Sequence, residues 1–188
     1  MRNHLCVGLA AILLLPATAG AQSTTTIRQG GQNNEARVDQ VGADGAIDIV
    51  MDGAEQRLMA RQRDLASLDA RLGGGGNRLE VDQGGAATDT NTALVTMQGS
   101  DNQATLHQMA DGIGHHATIQ QQGAANVALL WQDGSASSVS LTQIGDTNQA
   151  SVSQLGAGND AIVTQIGNAL GIAIDQMGGA QISVKQTQ

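Results

Sequence analysis

Residues 121–132 read Gln-Gln-Gly-Ala-Ala-Asn-Val-Ala-Leu-Leu-Trp-Gln, and residues 143–154 read Gln-Ile-Gly-Asp-Thr-Asn-Gln-Ala-Ser-Val-Ser-Gln. Gln, Gly, Asn, Ala and Gln occupy the same places in both stretches. In each, an aliphatic residue (Leu130, Val152) stands two before the closing Gln. Working outward from this pair, the Gln anchor recurs at Gln29, Gln40, Gln83, Gln108, Gln121, Gln132, Gln143, Gln154, Gln165, Gln176 and Gln186. Met51 and Met97 hold the same place, and most intervals are eleven residues. A fixed period of this kind is the mark of a repeat architecture and has to be read before any single motif.

The neighbours of each anchor define the local structure. Two residues before it lies Ile27, Val38, Ile49, Val81, Val95, Leu106, Ile119, Leu130, Leu141, Val152, Val163, Ile174 or Val184. Four before it lies a second small or aliphatic residue, such as Ala36, Ala104, Ala128, Ala150 or Ile182. The residues between are mostly polar, so the alternation has period two, that of a half-buried strand. Two residues after the anchor comes Gly: Gly31, Gly42, Gly123, Gly134, Gly145, Gly156, Gly167 and Gly178. A turn repeated at every strand needs positive φ at a fixed place, which Gly adopts without a Cβ clash. Asn34, Asn102, Asn126, Asn148 and Asn159 stand three further on, where Asn tolerates left-handed geometry and can bond the turn backbone. Each unit is a strand plus a turn, and two units close one coil.

A single coil cannot bury its inner face, whereas stacked coils can. The predicted fold is all-β: a β-solenoid of stacked strand-turn-strand coils with one inserted amphipathic helix. Stacking explains an interior Gln. A buried amide without partners costs a few kcal/mol, about 2–7 depending on reference. Repeated at strand spacing, it can accept from the rung on one side and donate to the other, forming a ladder. A thin interior of Ala, Val, Ile and Gln also accounts for an aromatic content of 1%, with no Phe or Tyr.

The rest of the composition narrows function. Nine basic against seventeen acidic residues, net charge -8, give no electrostatic footprint for nucleic acid. Residues 1–21 read as a signal peptide: Arg2, an apolar run from Leu5 to Leu15, Pro16, then Ala19-Gly20-Ala21 at the cleavage site. Cys6, the single cysteine, lies inside it, so the mature chain has no disulfide and no thiolate metal site. No further stretch is apolar enough to span a bilayer, and no cofactor is expected. His107, His115 and His116 lie near Asp111, but adjacent histidines point apart and read as a solvated loop. No catalytic motif is present, so the reading is not an enzyme. Trp131 and Leu129, on the outward parity, form an apolar spot suited to lateral contact, and Lys185 is a candidate edge gatekeeper.

Between Met51 and Gln83 the repeat is interrupted. Leu58, Leu65, Leu68 and Leu72 recur at helical spacing among Arg57, Arg61, Arg63, Asp64, Asp69 and Arg71, and the glycines at 73–76 follow. The organisation read from sequence is therefore a signal peptide (1–21), first repeats (22–53), a helical insertion with a Gly-rich linker (54–76) and a main array (77–188).

The repeat resembles that of the curlins, bacterial secreted fibre subunits, with the form Q-x-G-x-x-N-x-A-x-x-x-Q. Gln29 to Gln40 matches it completely, as do Gln121 to Gln132 and Gln143 to Gln154, and Met97 to Gln108 nearly so. The resemblance implies a secreted subunit, exported through the periplasm, that polymerises into amyloid-like fibres for adhesion and biofilm matrix. It also implies a nucleator or co-subunit and an outer-membrane secretion machinery as partners. Met51, Met97, the scarcity of aromatics and the 54–72 segment depart from the pattern. From the residues themselves, Ile27, Ile182 and Val184 at the first and last strands form the expected edge for head-to-tail self-assembly. The competing reading is a secreted β-solenoid that binds a surface without polymerising.

Overall fold

The computed structural model describes residues 10–14, 24–42, 45–87 and 89–188. Strands alternate between two parallel sheets as the chain winds. One sheet holds β1 (Ala10–Leu14), β3 (Glu35–Val41), β5 (Arg57–Arg63), β7 (Arg78–Ala87), β9 (Gln103–Gly112), β11 (Val127–Ser135), β13 (Gln149–Ala157) and β15 (Gly171–Met177). The other holds β2 (Thr24–Gln32), β4 (Ala46–Ala54), β6 (Ala66–Gly75), β8 (Asn91–Ser100), β10 (His116–Ala124), β12 (Ser138–Ile144), β14 (Asp160–Ile166) and β16 (Gln181–Thr187). Odd strands pair only with odd and even with even, in chain order, which is a β-solenoid of about seven coils.

Register follows the sequence period. Val81, Leu106, Leu130, Val152 and Ile174 stack as one column, and Ile119, Leu141, Val163 and Val184 as another. Nearly all of the Ala and aliphatic residues at these inward positions are buried, and they form one continuous core. A slip of one residue would turn each apolar set to solvent, so the alternation fixes the register.

The segment 54–76 departs from the expected helix. It forms β5 and β6, with Leu58, Ala60 and Gln62 buried on one strand and Ala66, Leu68, Ala70 and Leu72 on the next. The leucines that fit a helical stripe fit strands equally well, because Leu68 and Leu72 share parity with Ala66 and Ala70 on β6, and Leu58 with Ala60 and Gln62 on β5. What decides between them is the sheet. A helix here would leave β4 and β8, and β3 and β7, without the strand that pairs them, and unpaired buried backbone groups are costly. The glycines at 73–76 complete β6 and its turn, with positive φ at Gly74 and Gly76.

Of the leader, Ala10–Leu14 forms β1, paired in parallel with β3. The cleavage site at Ala19 to Ala21 lies outside the described residues.

Candidate functional site: amide ladders and open strand edges

On the odd-strand sheet the anchors form an unbroken amide ladder. Gln40 Nε2 donates to Gln62 Oε1 at 3.2 Å, Gln62 to Gln83 at 2.9 Å and Gln83 to Gln108 at 2.8 Å. Gln108 donates to Gln132, Gln132 to Gln154 and Gln154 to Gln176, at 2.8–2.9 Å. These anchors are buried. From Gln83 onward, the second amide proton reaches across the coil to a backbone carbonyl at the start of an even strand: Gln83 to Ser67, Gln108 to Thr92, Gln132 to His116, Gln154 to Ser138 and Gln176 to Asp160. Both donors and one acceptor lone pair of each amide are thus used, and the Gln side chain ties the two sheets together as well as successive coils.

The even-strand ladder is split. Gln121 donates to Gln143, Gln143 to Gln165 and Gln165 to Gln186, at 2.8–2.9 Å. Above it stand Met97, Leu72 and Met51, and Gln29 Nε2 approaches the Met51 sulfur at 3.7 Å. Met97 has no proton to give, so Gln121 Oε1 is buried without a partner among the described residues. The helical spacing of the leucines hides Leu72 as an anchor, and the break in the repeat hides Gln62. Both could have been found by taking the thirty-two residues from Met51 to Gln83 as three units.

The turns carry their own ladder. Gly123 has φ 122°, and a Cβ there would collide with Gly145 O on the next coil, so stacking as well as φ demands Gly. Gly31, Gly42, Gly134, Gly145, Gly156, Gly167 and Gly178 likewise have positive φ. The asparagines differ from expectation: the left-handed residue is the one before, namely Asn33, Asp101, Ala125, Thr147 and Gly158. Asn34, Asn102, Asn126, Asn148 and Asn159 are instead buried. Asn126 Nδ2 donates to Gly145 O at 2.7 Å, and Asn126 Oδ1 accepts the Asn148 N–H at 3.0 Å. Their role is to hold the turn backbone of their own coil and the next, which their short side chains do only from an inward position.

Asn102, Asn126 and Asn148 form one such column, and His115 belongs to the column on the other edge of the coil, with Asn91, Ser137 and Asn159. His115 is buried in the turn, contrary to the solvated-loop reading, while His116 points outward. The ring lies between Met109 O, 3.2 Å from Nε2, and the Ser137 N–H, which donates to Nδ1 at 3.2 Å. Burial lowers its pKa from 6.5, and the Met109 hydrogen bond opposes that shift. The Ser137 N–H requires Nδ1 as acceptor, so the neutral ring protonated on Nε2 is the fitting species.

Outward, Trp131 is 50% exposed and stacks on His107 with ring centroids 3.9 Å apart, beside the exposed Leu129. Lys185 lies exposed on β16. Among the described residues, no group of three or more His, Cys, Asp or Glu is placed to hold a metal ion.

At the β15–β16 end of the stack the pattern continues without a cap among the described residues, while at the opposite end β1 pairs with β3 and β2 is the last strand of its sheet. Ile27 and Val184 are partly buried against the core and Ile182 is 40% exposed. Gln29 Oε1 has no partner among the described residues. At the other end, Gln186 Nε2 meets only Gly171 O, at 3.2 Å, and Gln176 Nε2 meets Asp160 and Ala180 carbonyls rather than another anchor.

The family model of the curlin associated repeat matches residues 116–145 and 134–167. Residues 116–167 thus carry curlin associated repeats. The matched residues run from β10 to β14, where both Gln ladders and the Asn ladder are intact, and the same stacked geometry continues on both sides of them. No curated protein sequence and no solved structure matches the chain.

Proposed function

We propose that this protein is a secreted structural subunit that polymerises head to tail into curli-type amyloid fibres on the bacterial surface, for adhesion and biofilm matrix. Export through the periplasm and an outer-membrane secretion machinery, with loss of residues 1–21, precedes assembly, and a nucleator or co-subunit starts it. The observation that carries this reading is the state of the two ends. At one, Gln186 gives only one of its two amide protons, to Gly171 O, and at the other Gln29 Oε1 has no partner among the described residues. End strands with interior patterning are templates for adding another chain, and a contact between unlike ends does not close into a ring.

The test is seeded growth of the 22–188 chain, followed with an amyloid dye. Preformed fibres should abolish the lag phase. Ile182→Asp with Val184→Asp should slow elongation at least tenfold, because two charges would be buried in each junction. The outward Ser183→Asp should slow it far less. Equal effects, or a chain that stays monomeric with seeds present, would favour the non-polymerising surface-binding solenoid.

A further inference from the structure

We propose that successive subunits are turned by about 180° around the fibre axis, so that each sheet of one copy is continued by the opposite sheet of the next. In this arrangement β2 of the incoming copy lies on β15, and its β3 lies on β16. The inference rests on the head-to-tail polymer proposed above and specifies its junction.

The first argument is parity. Beyond residues 1–21, the described residues contribute eight strands to the even sheet, β2 to β16, and seven to the odd sheet, β3 to β15. Stacking without rotation puts β2 on β16 and leaves an empty strand position between β15 and the incoming β3. The facing backbone groups of both strands would then lack ladder partners inside the fibre. Half a turn removes that gap, because β2 then follows β16 as the next half-coil of the same path. The two halves of the coil allow it, since both present an aliphatic residue two before a Gln: Ile27 and Gln29 on β2, Val38 and Gln40 on β3. In the full chain β1 covers the edge of β3 that this junction uses, so leader removal is what frees it.

The second argument is charge. One residue before the anchor, on the outward face, stand Arg28 on β2, Asp39 on β3, Asp175 on β15 and Lys185 on β16. Rotated stacking sets Arg28 opposite Asp175 and Asp39 opposite Lys185. Unrotated stacking sets Arg28 opposite Lys185 and places Asp39 in the row of Asp175. Directly opposed like charges on neighbouring strands repel, and unlike charges attract, so both rows favour the same arrangement. The inner ladders also close: the free Nε2 proton of Gln186 continues to Gln40, and Gln176 Nε2 reaches the unpartnered Gln29 Oε1 by exchanging its Ala180 carbonyl for it while keeping Asp160 O.

Cysteine pairing in preformed fibres of the 22–188 chain tests this, since that chain has no native cysteine. Ser183 opposes Arg37 in the rotated junction and Thr26 in the unrotated one. Neighbouring strands about 4.8 Å apart lie within the usual Cα range for a disulfide. Fibres of the Ser183→Cys/Arg37→Cys variant should oxidise to a covalent ladder of oligomers, and those of Ser183→Cys/Thr26→Cys should not. The reverse result, or intact fibres in which neither variant cross-links, overturns the inference. Failure to form fibres at all counts against the polymer itself, and dye binding scored before oxidation separates the two failures. An independent readout is elongation rate. Asp39→Lys should slow growth about two- to fivefold by facing Lys185, and adding Lys185→Asp should restore it. Acceleration by Asp39→Lys alone would indicate the unrotated junction and overturn the inference.

Discussion

The two sheets of this solenoid solve the same problem at different levels of completeness. The odd-strand sheet carries Gln at each anchor from Gln40 to Gln176, and every amide before Gln176 donates to the next. The even-strand sheet substitutes Met51, Leu72 and Met97 and resumes the ladder only at Gln121. Backbone pairing continues through both. The comparison teaches that the ladder is not required for the coils to stack; apolar side chains of similar length fill the space. Its effect falls at the boundaries of the break, where Gln121 Oε1 is left buried without a donor.

Four perturbations probe the contrast between the sheets. The largest effect is expected in the turns, which both sheets share. Gly123→Ala meets a positive φ and the Gly145 carbonyl and should cost about 3 kcal/mol or more. Gly178→Ala, on the last coil with open space around it, should cost about 1 kcal/mol. Urea midpoints of freshly prepared monomer measure both. Next is the intact ladder. Gln108→Leu orphans Gln132 Oε1 and removes the acceptor of Gln83, for a loss of roughly 2–4 kcal/mol, whereas Met97→Leu on the split side should cost less than about 1.5 kcal/mol.

The third perturbation repairs the break. Met97→Gln alone supplies a donor to Gln121 but places its own Oε1 against Leu72, so its urea midpoint should hardly move. The triple variant with Met51→Gln and Leu72→Gln joins Gln29 to Gln121 and should gain roughly 1 kcal/mol or more. The smallest effect concerns His115. Its pKa is lowered in the fold, so as pH falls below 6.5 the unfolded chain takes up a proton that the folded chain resists, and stability declines with it. The decline spans the interval from 6.5 down to the folded pKa. A His115→Asn variant should lose this component of the pH dependence in thermal melts across that range.

Much of this was legible in the sequence because a solenoid writes its register into its period. The inward columns follow directly from alternation around each Gln, and the parallel pairing of Gln121 with Gln143 follows from their spacing. Leu58, Leu65, Leu68 and Leu72 misled because a leucine every three or four residues satisfies a helix, while three of the four also fit the inward parity of their own strands. Only a constraint beyond the segment, the need for a strand between β4 and β8 and another between β3 and β7, separates the two. The second proton of each Gln was not legible either. Whether Gln108 can reach Thr92 O depends on the distance between sheets, which no one-dimensional pattern contains. His115 escaped for a related reason: it stands where Asn91 and Asn159 stand in their own coils, and that equivalence appears only once the turns are stacked.

X-ray fibre diffraction from aligned material of the 22–188 chain tests most directly whether these coils pile without limit along one axis. The account predicts a sharp meridional reflection near 4.8 Å, from strands running across the fibre, with an equatorial spacing near 10 Å. Strands lying along the fibre axis, or material that stays dispersed and yields nothing to align, would contradict it.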